Sequence, residues 1–210
     1  AAEVNVDILT TIDHNPADGI LRMARETMTD IVILGWPGRV GFIDKILGEK
    51  VDLIIRKMDK NLWMCSIESD LIDHDRIIVL SPPLAEKEEG FALWVEKIAK
   101  LSSELSIPVL HLGHPNTQEL IARHKGVGNF TFEPFTDWDN HLSFSDRIKK
   151  KDMIVIVSAH SGCVSHIPAL DNLPYRLGRK FPEHSKIAIF PKQHVPVTQV
   201  GGGDDYVVFP

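Results

Sequence analysis

Short, nearly unbroken apolar runs, separated by stretches long enough for a helix, constrain this chain more than any other feature. Ile31 to Leu34, Arg76 to Leu80, Ile107 to Leu112, Met153 to Val157 and Lys186 to Phe190 mark five such strands. Strands covered on both faces read as continuous apolar segments, as in parallel sheets packed between helices. Between them lie stripes at helical spacing: Ile20, Leu21, Ala24 and Met28 in one, and Phe91, Trp94, Val95, Ile98, Leu101 and Leu105 in another. Strands alternating with helices and joined by right-handed crossovers predict an α/β fold, a mainly parallel sheet in a three-layer α/β/α sandwich.

The order of elements repeats. Val4, Val6, Ile8 and Ile12 alternate as a strand would over residues 4–12. Asn15-Pro16 with Asp18 then signals a helix start. Strand 31–34, the loop Gly35-Trp36-Pro37-Gly38, a helix from about Phe42 to Met58 and a strand from Asn61 to Ile67 follow. After the polar stretch Glu68 to Asp75, a candidate linker, the pattern restarts. The second segment adds strands at Arg76, Ile107, Phe130–Phe135, Met153 and Lys186, with a short helix near Thr117 to His124 and another over Trp138 to Ile148. Residues 1–70 therefore read as the last three strands of one repeat, and residues 71–195 as a complete second repeat. The tail 196–210, with Gly201-Gly202-Gly203-Asp204-Asp205, has no core-forming pattern and is expected to be flexible.

Charge narrows the partners. The 210 residues carry a formal net charge of −6 without any Lys/Arg-rich block. Nucleic acid is excluded as an expected partner, because phosphate binding draws on clustered cations. Cys65 and Cys163 both lie on or beside apolar runs, which fits buried thiols in a reducing compartment. No apolar run is long enough to span a bilayer, and no signal peptide is expected, because no positively charged start leads into an apolar stretch. A start at Ala1 inside an apparent strand, without Met, is expected of an excised fragment.

Gly35, Gly38 and Gly48 form the spacing G-x-x-G-x₉-G directly after a buried strand and leading into a helix. Glycines there let backbone amides approach phosphate oxygens, and the helix start adds favourable partial charge. In this motif the chain resembles the universal stress protein family. The resemblance implies the five-stranded fold and marks Gly35, Gly38 and Gly48 as a degenerate adenine-nucleotide loop. The sequence departs from the family where phosphate chemistry is most sensitive. Glu49 replaces the hydroxyl residue that follows the third glycine, and an ionised carboxylate repels phosphate. In the second segment Leu80-Ser81-Pro82-Pro83 lacks the family's acid, and Ser158-Ala159-His160-Ser161-Gly162-Cys163 keeps a single glycine.

A narrower resemblance covers nearly the whole chain. Gly19-Ile20-Leu21-Arg22, Asp30 to Gly38, Leu47-Gly48-Glu49-Lys50, Asp137-Trp138-Asp139 and Ser158-Ala159 look like the cytoplasmic tails of bacterial sodium/proton antiporters. That resemblance implies a non-enzymatic regulatory domain at the cytoplasmic face of the inner membrane, with the parent membrane transport domain in cis and no cofactor of its own. It also implies a homodimer, for which Asn61 to Ile67 and Lys186 to Phe190 are the candidate pairing strands. Two alternatives stay open: a stand-alone stress protein binding an adenine nucleotide, and the tail of a cation–chloride cotransporter or amino-acid permease.

Other groupings have simpler readings. His111 and His114 make an H-x-x-H at a strand end, two ligands of a metal site that needs more; surface histidines are expected. His160 and Cys163 share a loop with Ser158, Ser161 and Ser165, but neighbours two or three residues apart seldom reach catalytic geometry. Asp137, Asp139 and the run Glu86 to Glu89 are expected as solvated helix starts. Trp36 and Pro37 are the candidates for a partner surface.

Overall fold

The computed structural model describes residues 6–35, 51–138, 143–171 and 173–193. Seven strands form one sheet: β1 (Ile31–Gly35), β2 (Asn61–Ser66), β3 (Arg76–Leu80), β4 (Val109–Gly113), β5 (Phe130–Pro134), β6 (Asp152–Val157) and β7 (Lys186–Phe190). Helices α1 (Pro16–Glu26), α2 (residues 51–57), α3 (Phe91–Leu105), α4 (Pro115–Ala122) and α5 (Leu173–Lys180) flank it. The α1 start follows its sequence signal. Asn15 accepts a hydrogen bond from the Ala17 amide at 3.1 Å, Pro16 fills the first turn, and Asp18 sits at the positive end of the dipole.

Strand order is β1-β2-β7-β6-β3-β4-β5. Every neighbouring pair is parallel except β2 with β7, which run antiparallel with Leu62 opposite Phe190 and Met64 opposite Ala188. The second segment alone gives β7-β6-β3-β4-β5, its five predicted strands in one parallel block. The first segment contributes β1 and β2. They join it through β2, which meets β7 in the antiparallel pair.

Residue parity along each strand sorts the core into layers. Ile77, Val79, Val155 and Ile189 face α3, whose Trp94, Val95 and Ile98 are buried against them. On the opposite face Ile78, Leu80, Ile154 and Ile156 pack against Phe144, Leu170, Leu173 and Leu177. That same face continues under α1 and α2, where Leu62, Met64, Ala188 and Phe190 meet Ala17, Leu21, Ala24, Ile54 and Met58. At one end of the β3–β6 pair, Arg76 Nε and Nη2 reach the buried Asp152 carboxylate at 3.0 and 2.5 Å, and Asp152 also accepts from the Lys149 amide at 2.8 Å. The fork geometry holds the strand starts in register and satisfies a charge that burial would otherwise penalise.

Four expectations change. Residues 6–12 form no strand, and Val6, Ile8 and Ile12 are 77%, 89% and 95% exposed, because no described strand lies beside them to complete a ladder. The stretch Trp138 to Ile148 holds only a short 3-10 turn at Ser143–Arg147, with residues 139–142 outside the described part. Glu68 to Asp75 is not a free linker. The Glu68 amide donates to Ser185 Oγ at 3.1 Å, Leu71–Asp73 forms a 3-10 turn, and His74 is buried. Finally, the two strands expected to pair between copies, Asn61 to Ile67 and Lys186 to Phe190, pair with each other inside one chain. Both are interior strands, so neither offers an edge to a second molecule. The loop and helix start at residues 36–50 and the tail at 194–210 lie outside the described residues. No described helix is long and apolar enough to cross a membrane.

A sheet shared across both segments predicts one cooperative unfolding event. Leu62→Ala, at a fully buried position in the first segment, should lower stability by about 2–5 kcal/mol and move the whole urea transition. An early separate phase, seen by far-UV circular dichroism, would show instead that the segments unfold independently.

Candidate functional site

In open α/β sheets, ligand chemistry gathers beyond the carboxyl ends of the strands. At that edge of the second segment three loops converge: residues 81–90 after β3, residues 158–167 after β6, and Pro191–Gln193 after β7. The antiparallel turn of β2 adds Asn61, whose start lies beside the end of β7.

Glu88 occupies the centre of this edge. Its carboxylate is only 6% exposed, and Oε1 accepts from the Ser165 amide at 2.9 Å and from Ser165 Oγ at 2.6 Å. Main-chain amides of the loop after β6 are donors at this edge. Here they have partners within the chain: the Ser158 amide donates to Ile189 O at 2.7 Å, and the His160 amide to Gln193 Oε1 at 2.9 Å. The Ser165 amide and hydroxyl thus both donate to a carboxylate of the same chain. The remaining contacts tie the loops down. Asn61 Oδ1 accepts from the Lys192 amide at 3.0 Å while Asn61 Nδ2 donates to Asp30 O at 3.2 Å. The Gly90 amide donates to Lys192 O at 2.9 Å. A side chain at 90 would run into Asn61 Oδ1 and come within 2.5 Å of the Lys192 nitrogen, so only glycine allows this approach. Lys192 Nζ pairs with Glu89, which raises the lysine pKa through that hydrogen bond.

Sequence reasoning placed Glu86 to Glu89 on a solvated helix start. The structure corrects this. Glu86 accepts from Thr117 Oγ1 at 2.6 Å, Glu89 binds Lys192, and Glu88 is buried. Nothing local marks Glu88, because its partner lies 77 residues further along the chain.

His160 and Cys163 share the loop, yet no hydrogen bond joins the imidazole to the thiol. His160 stacks on Phe190 with centroids 5.7 Å apart. Burial, with a smaller contribution from His166, lowers its pKa to about 4, so the ring is neutral at physiological pH. Burial and the nearby Glu88 charge push the Cys163 thiol up, which disfavours the thiolate that nucleophilic chemistry requires. Ser161 and Gly162 are exposed at the loop tip, with Gly162 at φ +91°.

His111 and His114 diverge. His111 is fully buried rather than on the surface: Nε2 and Ser81 Oγ are 2.9 Å apart, the ring stacks near Trp94, and Nδ1 has no hydrogen-bond partner. His114 instead caps α4, with Nδ1 accepting from the Asn116 amide at 3.2 Å. No group of three or more candidate metal ligands gathers among the described residues. Asp137 adjoins Trp138, which is buried edge-on against Phe135; Asp139 lies outside the described residues. Of the predicted glycine loop, Gly35 ends β1 with nothing within 4 Å of where a Cβ would stand. Gly38 and Gly48, with Trp36, Pro37 and Glu49, lie outside the described residues.

Known structures share this architecture. The crystal structure of a universal stress protein from Archaeoglobus fulgidus DSM 4304 superposes with a TM-score of 0.51 at 15% identity, over 85% of this chain and 65% of that one. The fold is universal-stress-protein-like. A crystal structure of a functionally unknown protein from Pseudomonas aeruginosa PAO1 matches with a TM-score of 0.53 at 9% identity, covering 86% of this chain and 69% of that one. The chain therefore spans slightly less than two thirds of the archaeal stress protein's length. No family model and no curated protein matches the sequence.

Two outcomes follow from this geometry. Glu88→Ala leaves the buried Ser165 amide without an acceptor and should cost about 1–3 kcal/mol in urea unfolding, whereas Glu88→Gln keeps an acceptor and should cost less. Equal stability of all three proteins would remove Glu88 from its structural role. The second outcome concerns acid. The unfolded chain protonates its histidines near 6.5, the ordinary imidazole value, while His111 resists to about 3 and His160 to about 4. The unfolded state binds more protons in that window, so stability is complete above pH 6.5 and falls on acidification toward pH 3–4. Each histidine adds up to about 1.4 kcal/mol per pH unit there. His111→Gln should flatten the fall; an unchanged slope would contradict the buried neutral ring.

Proposed function

We propose that this stress-protein-like chain is a non-catalytic regulatory domain of a sodium/proton antiporter, held at the cytoplasmic face of the inner membrane by a transport domain in the same polypeptide. The antiporter-like segments Gly19–Arg22, Asp30–Gly38 and Leu47–Lys50 favour that parent. The observation that carries the regulatory part is Glu88. Its carboxylate takes the Ser165 amide and hydroxyl of the loop after β6, and the neighbouring His160 and Cys163 are held neutral by burial. An edge filled by its own side chains suits a module that acts through packing and partners more than one that turns over a ligand.

The domain then biases the transporter between states, through self-association or by a ligand. A coupling of about 1–3 kcal/mol, or roughly 5–150-fold in affinity, is enough. A homodimer remains part of this proposal, with its contact away from β2 and β7.

Two measurements test the reading. Calorimetry with ATP and AMP should give no saturable binding up to about 1 mM. Micromolar binding that disappears in Gly38→Trp would favour the stand-alone adenine-nucleotide reading instead. In proteoliposomes containing the parent protein, Glu88→Ala should shift the sodium dependence of proton exchange at least about fivefold. Chloride-dependent cation uptake without proton movement would point to a cotransporter tail, and unchanged exchange would end the regulatory proposal.

A further inference from the structure

The loop between β2 and β3 turns large apolar side chains outward. Ile67, Leu71 and Ile72 are 49%, 40% and 82% exposed. The loop is pinned in place, so this exposure is its fixed geometry. The Glu68 amide donates to Ser185 Oγ at 3.1 Å and the Asp75 amide to Lys151 O at 3.1 Å. Behind them the buried His74 ring lies 3.2 Å from Leu71 O. Ser185 and Lys151 stand at the starts of β7 and β6. Residues 67–75 therefore cross the amino edge of the second segment on their way from β2 to β3.

Charge on this edge is sorted into two halves. Asp70 and Asp73 are exposed, and neither carboxylate has a partner among the described residues; Glu68 and Asp75 flank them. On the side of α5 the chain runs Lys149-Lys150-Lys151, and Lys180 ends the helix nearby. His184 Nε2 lies 3.1 Å from Lys149 O, and Lys180 Nζ donates to Ser145 Oγ at 2.7 Å. These contacts draw residues 145–151 and 180–184 into one surface, in which Asp146 and Glu183 are the acids. Lys149 and Lys150 are exposed, and neither ammonium has a partner among the described residues. The acidic, apolar half and the basic half abut where Lys151 Nζ lies 3.9 Å from Asp75.

Two opposite halves side by side are complementary to themselves. A two-fold axis through their junction lays the acidic half of one copy on the basic half of the other, and the reverse. We propose that this amino edge is the contact surface of a homodimer, with a second copy of the chain as its occupant. Asp70 and Asp73 meet the ammonium groups of Lys149 and Lys150 across the axis. Leu71 and Ile72 lie along the lysine stems of the second copy, which present apolar surface beneath their charged ends. The strands β2 and β7 cannot make this contact, because they pair inside one chain. An anionic bilayer or nucleic acid suits the edge less, since Glu68, Asp70, Asp73 and Asp75 would face it as like charges. The inference rests on the homodimer of the proposed function and gives it a surface. It is measured on this chain by itself, so its failure and a failure of the exchange assay are separate results.

Sedimentation equilibrium of the 210-residue protein should show a reversible dimer with a dissociation constant below about 100 μM. Association should weaken at least about tenfold between roughly 0.05 and 0.5 M sodium chloride. Asp70→Lys with Asp73→Lys should give a monomer, and so should Lys149→Glu with Lys150→Glu, because each pair of changes sets like charges against each other. Mixed together, the two variants should form a mixed dimer, since each reversed half then meets its opposite. A chain carrying all four changes should recover self-association, which also shows that the reversals leave the fold intact. Ile72→Ser should weaken the dimer at least about tenfold without moving the urea midpoint. A strict monomer at about 1 mM, a dimer indifferent to both reversals, or a mixture that stays monomeric would overturn the proposal. So would co-sedimentation of a monomer with phosphatidylglycerol vesicles that Lys149→Glu with Lys150→Glu abolishes, which would give the edge to a membrane.

Discussion

The antiparallel ladder between β2 and β7 is the contact on which the rest of the molecule depends. It joins the two strands described in the first segment to the five of the second, which gives them a larger sheet to pack against. A two-stranded sheet is marginal in water, and the shared ladder with its common core under α1 and α2 removes that difficulty. The reversal of direction also has a chemical consequence. It brings Asn61, at the start of β2, to the carboxyl edge of the second repeat, where its amide bridges Asp30 and Lys192. At the other end Glu68 reaches Ser185 and lies 3.9 Å from the buried Lys186. Each segment thus helps to close the edge of the other.

How much of this was legible depended on where the partner of each residue lies. The strands of the second repeat were readable because burial on both faces leaves a continuous apolar run, visible without knowing the neighbours. The α1 start was readable because Asn15, Pro16 and Asp18 act within one turn. Residues 6–12 were misread for the opposite reason. Alternation is a local property, but a strand exists only with a hydrogen-bonded neighbour, and none is described beside it. The interior position of β2 and β7 was hidden in the same way, since two apolar runs separated by more than a hundred residues do not announce that they pair with each other.

The candidate site repeats that lesson in side chains. His111 looked like a surface histidine beside His114, but parity along β4 turns it inward onto Ser81 and Trp94. Glu88 looked solvated in a run of acids, and only a serine on a distant loop makes its burial tolerable. Burial then governs the chemistry. It holds His111 and His160 neutral and the Cys163 thiol protonated, while the Glu88 charge adds to the last effect. Groups that suggest a nucleophile and base in sequence are, in place, parts of a packed polar core.

A phosphate cradle needs two things together: a full sheet to fix the loop, and a glycine-rich loop whose amides stay available. In this chain they are divided between the halves. The first half carries the spacing Gly35, Gly38 and Gly48 and, among the described residues, contributes two strands, and Glu49 follows the third glycine. The second half has all five strands, yet its loop keeps one glycine and gives the Ser165 amide to Glu88. An internal carboxylate at hydrogen-bond distance faces no entropy of association, so an external anion would compete against a partner tethered in place. The Glu88 carboxylate holds the loop after β6 through Ser165, while Asn61 and Gly90 tie down the segment after β7 through Lys192.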